Sequence, residues 1–116
     1  NEIVRAALDS IAFQIHDVIA AMEKDTGIHV LVLRVDGGPT RNKYLMQFQS
    51  DILNTLVSCP EAEELSGIGA AMMAGIAYGL YQSDLHSTQY ITFVPVMGGS
   101  QRDEKLNNWQ IALSRL

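Results

Sequence analysis

Only one cysteine, Cys59, occurs in the 116 residues, so no internal disulfide can form. No Asn-x-Ser/Thr acceptor is present either, and the two absences together point to a reducing cytoplasm. Basic residues are scarce: 8 Lys and Arg against 13 Asp and Glu leave a net charge of −5, and none of the eight forms a cluster. A phosphate-backbone binder needs a concentrated basic stripe, so nucleic acid is not an expected partner. The uncharged run Leu65 to Ser83 is diluted by Ser66 and four glycines and has no close Lys or Arg flank, so no membrane span is expected. The start, Asn1-Glu2-Ile3, carries neither an initiator methionine nor a signal peptide, and the sequence reads as a piece of a longer polypeptide. With 47% hydrophobic and 18% charged residues it can bury a core, as one small domain or part of one.

Several kinds of chemistry are missing as well. There is no Gly-x-Gly-x-x-Gly and no Gly-Lys-Ser/Thr, which sets aside the Rossmann fingerprint and the Walker loop. Ser66 lacks the preceding glycine of a nucleophile elbow. His16, His29 and His86 have no metal-site spacing, and Cys59, followed by proline, reads as a structural thiol. Asp25-Thr26-Gly27 matches the aspartic-protease triplet, but it follows a helical pattern where a protease needs a strand, so it reads as a helix end.

What is present is an alternation of helices and strands. Val4, Leu8, Ile11, Ile15, Val18 and Met22 recur at spacings of four and three, predicting an amphipathic helix that packs on this stripe and stops near Gly27. Asp9, Asp17 and Glu23 are expected on its wet face. His29 to Val35 is a strand-length apolar run expected to be buried on both faces, as in a parallel sheet. A glycine turn and a helix through Tyr44, Leu45, Phe48, Ile52 and Leu53 follow. Thr55 to Ser58 is a second short strand, closed by Cys59-Pro60. Ser66 is placed to cap a third helix, on which Gly67, Ala71, Gly75 and Gly79 make one smooth side for close packing. Tyr90 to Val94 reads as an extra short extended segment, and Asp103 to Leu116 as a last helix.

Asp36-Gly37-Gly38 therefore lies where α/β proteins bind ligands, beyond the carboxyl end of a strand and before a helix N-terminus whose N–H groups favour anions. Two glycines let a ligand lie against bare main chain, and Asn42, read as one turn into the helix, offers an amide to a ribose or base edge. The same residues serve equally as a tight connection capped by Asp36 or Thr40.

Arg5-Ala6-Ala7-Leu8, Ile11-Ala12-Phe13-Gln14, Leu33-Arg34-Val35-Asp36-Gly37-Gly38, Asn42, Leu45 to Leu53, and Gly69-Ala70-Ala71 with Ala74-Gly75 resemble, in unbroken order, the C-terminal domain of the FGGY carbohydrate kinases. The block from Asp-Gly-Gly to Asp-Ile-Leu is its specific part, and the resemblance fades after Gln82, although Trp109 in a terminal helix suits it. It implies an α/β fold, the distal part of a ribonuclease H-like, actin-like ATPase domain of order αβαβαα, with residues 1–116 as the nucleotide-side half. It also implies ATP and Mg2+ as cofactors, the metal held mainly outside this chain, and a sugar or polyol hydroxyl as phosphoryl acceptor. Gly37, Gly38 and Asn42 are the ATP-binding residues so implied, and no catalytic residue is assigned here.

Pro39-Thr40-Arg41 and Leu65-Ser66-Gly67-Ile68-Gly69 depart from the usual family sequences, which leaves a ketopentose or a sugar acid open as substrate. A non-catalytic nucleotide-binding or regulatory module is the alternative of another class, and a purely structural oligomerisation domain a third. The first three strands of such a domain's sheet are not found, and unpaired strand edges predict self-association into a homo-oligomer.

Overall fold

A computed structural model of the chain describes residues 1–61, 65–80, 82 and 89–115, with backbone only at 65 and 66. Helix α1 (Glu2–Thr26) is capped by Asn1, whose side chain accepts from the Ile3 N–H, and ends at Gly27. That glycine, at φ 68°, returns its N–H to the Glu23 carbonyl at 2.8 Å, the left-handed stop expected there. Strand β1 (Val32–Arg34), a short 3₁₀ turn (Gly38–Arg41), helix α2 (Lys43–Leu53) and strand β2 (Leu56–Pro60) follow. Helix α3 (Leu65–Ala77), strand β3 (Tyr90–Phe93) and helix α4 (Gly99–Leu113) complete the order.

The sheet runs β1-β2-β3. β1 pairs in parallel with β2 from Val32 opposite Leu56, and β2 pairs antiparallel with β3 from Val57 opposite Phe93. This register puts Leu33, Val57 and Phe93 on the face that α2 covers, where Leu45, Met46, Phe48 and Ile52 meet Ala12 of α1 in the core. Arg34 stands exposed on the other face with its guanidinium 5.4 Å from the Tyr90 ring.

β1 is shorter and more exposed than the His29 to Val35 run predicts, because Glu23 reaches back from α1 and takes the Val30 N–H at 2.7 Å, holding 29–30 off the ladder. Its outer edge has no partner strand among the described residues, so its side chains at 32 and 34 lie exposed instead of buried on both faces. Proline does not end β2 early; Pro60 occupies its last position opposite Tyr90. α4 begins at Gly99, earlier than the expected Asp103, since the extended Gly98 can open the helix by accepting the Arg102 N–H.

α1 packs on one edge of its apolar stripe only, where Leu8 joins the core and Ile15 is half-buried. It meets α2 and α4 chiefly through the side carrying Asp9, Ala12, Phe13 and Asp17, nearly half a turn round the helix from the middle of the stripe, and Val4, Ile11, Val18 and Met22 stand exposed. α3 packs extensively on no other element among the described residues, although its sequence is almost wholly apolar. Gly79 lies outside α3: at φ 72°, with Leu80 N–H on the Gly75 carbonyl and Gly79 N–H on Ile76, it closes the helix instead of lining it. The capping expected of Ser66 falls on a side chain outside the described residues. The radius of gyration, 17.6 Å, exceeds the roughly 13 Å of a compact chain this long, so apolar surface stays uncovered within this chain.

Candidate functional site

The chain leaves β1 through Val35 and turns at Asp36-Gly37. Gly37 sits at φ 96° and ψ 179°, a region open almost only to glycine. Three hydrogen bonds fix it there: the Asp36 carboxylate accepts the Gly37 N–H at 2.6 Å, and the Gly37 carbonyl accepts from Thr40 N–H at 3.0 Å and Thr40 Oγ1 at 2.7 Å. Asp36 and Thr40 are thus spent on the turn, and the cap of α2 is Asn42. Its Oδ1 accepts the Leu45 N–H at 3.1 Å, which places it at the helix start and not one turn inside, as its spacing suggests. The capping bond uses the side-chain oxygen and leaves the amide Nδ2 as the donor a ligand would meet.

Gly37 and Gly38 are both exposed. A Cβ built on Gly38 meets nothing within 4 Å, and one on Gly37 meets only Pro39 Cδ at 3.9 Å. Main chain is therefore bare at this corner, with no side chain filling it, and the N-terminus of α2 stands beside it.

Two grooves are lined in part by residues that follow the corner in sequence, and neither is lined by Gly37 or Gly38 themselves. One, of about 350 Å³, runs between the starts of α1 and α2 and is lined by Asn1, Val4, Arg5, Leu8, Asn42 and Tyr44. The other, of about 300 Å³, lies at the carboxyl end of β2, between Thr40, Arg41 and Lys43 on one side and Pro60, Ile91 and Phe93 on the other. Arg5 and Tyr44 escape notice in the sequence, where Tyr44 looks like one more apolar position of a helix. Its phenol in fact joins two helices, donating to Asp9 Oδ1 at 2.5 Å and accepting from Arg5 Nε at 3.0 Å. Partners 35 and 39 residues away leave no local signal.

The other candidates resolve as structure. Asp25-Thr26-Gly27 ends α1, with Thr26 Oγ1 on the Met22 carbonyl at 2.7 Å. His29 is exposed beside Glu23, and His16 faces its neighbour Asp17 at 3.3 Å. His86 lies outside the described residues. Asp9, Asp17 and Glu23 do not form a solvated face: each accepts a hydrogen bond from another part of the chain. Cys59 is buried, and burial pushes its thiol above the ordinary value, away from the reactive thiolate. Among the described residues no three His, Cys, Asp or Glu side chains gather where a metal ion could be held. No helix among the described residues is long and apolar enough to cross a membrane.

Residues 1–78 match the C-terminal domain of the FGGY family of carbohydrate kinases. Over 119 aligned residues the chain is 45% identical to a glycerol kinase of Klebsiella pneumoniae and 43% to one of Clostridium botulinum, covering 99% of this chain and 24% of each relative. It also superposes on the crystal structure of Plasmodium falciparum glycerol kinase with ADP at a TM-score of 0.74 and 36% identity, over 97% of this chain and 23% of that one. The chain spans about a quarter of the length of the curated relatives it matches. The mixed α/β arrangement is accordingly that of an actin-like ATPase fold, as the resemblance implied. By sequence and by fold alike, the chain belongs to the FGGY family of carbohydrate kinases.

Proposed function

We propose that residues 1–116 are the nucleotide-side half of the C-terminal domain of an ATP-dependent polyol kinase, one that moves the γ-phosphoryl of ATP to a hydroxyl of glycerol or a close analogue. The observation that carries this reading is the uncovered main chain at Gly37 and Gly38 beside the Asn42 amide. Bare backbone accepts the flat face of a nucleoside, the Nδ2 donor meets a ribose or base acceptor, and the α2 N-terminus favours the negative charge that follows. The ADP bound by the Plasmodium falciparum relative supports the choice of ligand.

Phosphoryl transfer depends largely on alignment and charge stabilisation. A half-site of this kind contributes orientation. The residues that position magnesium, activate the acceptor hydroxyl and read its shape belong to polypeptide beyond these residues, and closure of a cleft between the two parts would exclude water. A cytoplasmic setting, where ATP is available, fits the single buried thiol.

The test is calorimetric titration of ADP, and a coupled assay with glycerol, on the complete polypeptide carrying this chain. Gly38→Val and Asn42→Ala are each expected to weaken ADP binding by about tenfold or more, equivalent to about 1.4 kcal/mol of binding free energy. Normal ADP affinity in both variants would sink the reading, and ADP binding without any phosphoryl transfer would favour the regulatory module.

A further inference from the structure

Tyr44 stands two residues beyond Asn42, in the first turn of α2, and its phenol is gripped by two residues one turn apart on α1. Arg5 Nε donates to the oxygen at 3.0 Å while its guanidinium lies 5.1 Å from the ring centre, and the hydroxyl proton goes to Asp9 Oδ1. The ring stacks on Phe48, 5.9 Å away and 9° from parallel, so the side chain is held at both ends. Neither α1 partner lies on α1's apolar stripe, and the contact thus fixes which side of α1 faces the start of α2.

We infer that Tyr44 is a positioning residue for the nucleotide. By clamping the first turn of α2 to the first turns of α1, it sets the width of the groove into which Asn42 faces, and so the placement of the Asn42 amide against a bound nucleoside. The inference rests on the nucleotide reading above. Tyr44 need not touch the ligand; it acts through Asn42, its companion in the lining of the 350 Å³ groove. Chemistry supports the arrangement, because burial and the Asp9 carboxylate raise the phenol's pKa above its ordinary value and keep the proton available to donate. A neutral donor between a cation and an anion satisfies both at once.

Five variants of the complete polypeptide separate the outcomes. Tyr44→Phe keeps the ring and removes the oxygen, and it is expected to weaken ADP binding and raise the KM for ATP about three- to tenfold. The KM for the acceptor and the turnover at saturating ATP should stay within about twofold, because only nucleotide placement is disturbed. Asp9→Asn retains an acceptor oxygen and should recover most of the affinity, whereas Asp9→Leu should behave like Tyr44→Phe. Gly38→Val serves as the control on the site itself. If Gly38→Val abolishes ADP binding while Tyr44→Phe and Asp9→Leu bind normally, the clamp is refuted and the nucleotide site stands. If the acceptor KM rises in step with the ATP KM, the clamp is a general brace and the inference is likewise overturned. If Gly38→Val and Asn42→Ala both bind ADP normally, the nucleotide reading falls and takes the inference with it.

Discussion

Trp109 Nε1 donates to Asp17 Oδ2 at 2.8 Å across 92 residues of sequence, tying the last helix to the first. Gln110 Nε2 adds a second donor to the other carboxylate oxygen at 3.2 Å, and the indole stacks on Phe13 at 5.2 Å. Phe13 in turn meets Phe48 of α2 edge-on at 5.6 Å. A carboxylate and an aromatic ladder, not the apolar stripe, therefore orient α1 in this chain. Of the stripe, Val4, Ile11, Val18 and Met22 are left exposed.

Removing the indole donor alone should loosen α4 without emptying the aromatic stack. Trp109→Phe is expected to cost about 1 kcal/mol, the net worth of one partly exposed hydrogen bond. Trp109→Ala should cost about 3 kcal/mol, because it also forfeits the stacking and leaves a void beside Phe13. Thermal unfolding of the two variants beside wild type checks the order; equal losses would mean that the stacking carries no share, and a wild-type midpoint in Trp109→Phe that the hydrogen bond carries none.

The two glycines of the corner should respond differently to the same added methyl group. Gly37→Ala forces a Cβ into φ 96° and should cost about 1–3 kcal/mol in stability. At Gly38 nothing lies within 4 Å, and Ala should leave stability within about 0.5 kcal/mol of wild type. Chemical denaturation separates the pair, and an equal loss at both positions would show that Gly38 also needs its missing side chain for folding.

Much of this architecture could be read from local chemistry. The stop at Gly27, the strand and glycine turn into α2, and the order of elements are each written in a few adjacent residues. What the sequence concealed depends on distant partners. Glu23 looks like a solvated acid until Val30 folds back to it, and Asp9 and Tyr44 meet only when α1 and α2 pack. The capping role of Asn42 was hidden by the intervening 3₁₀ turn, which delays the start of α2 past Arg41. The apolar stripe misled for another reason: periodicity reports that a helix side is buried somewhere, and not by which part of a larger body. The openness of the corner at Gly38 is legible only in three dimensions, since a glycine pair reads alike in a ligand cradle and in a plain tight turn.

Glu23 makes the junction between α1 and β1 sensitive to acid. The Val30 N–H, and secondarily His29, hold its carboxyl below the ordinary value of 4.5, against the opposing pull of burial. A depressed carboxyl contributes stability that is complete above its unfolded value and is lost as pH falls through the lower folded value. The protection of the Val30 amide against hydrogen exchange should therefore drop below about pH 4.5 in wild type. In Glu23→Gln, which cannot titrate, the protection should be lower at neutral pH and flat across that range. A wild-type profile without an acid step would show that the Glu23 bond does not persist in solution.

Asp51 is the residue whose loss should cost most per atom removed. It lies 7% exposed in α2, and its Oδ1 accepts from Val96 N–H at 2.7 Å, Met97 N–H at 3.2 Å and Gln47 Nε2 at 3.1 Å. Those bonds hold the segment between β3 and α4 against α2, and Gln47 doubles the link by donating to the Val94 carbonyl at 2.8 Å. Asp51→Ala strands two main-chain donors and is expected to cost about 2–4 kcal/mol, the penalty of leaving them unpaired plus the removal of a charged acceptor. Asp51→Asn keeps an oxygen in place and should cost about half as much, since a neutral acceptor makes weaker bonds. Exchange protection at Val96 and Met97 should fall in the alanine variant before the rest of α2 opens. Were Asp51→Ala to unfold at the wild-type midpoint, the segment would have to be held by Met97 and Leu106, the apolar side chains that pack on the core at either end of α4's start.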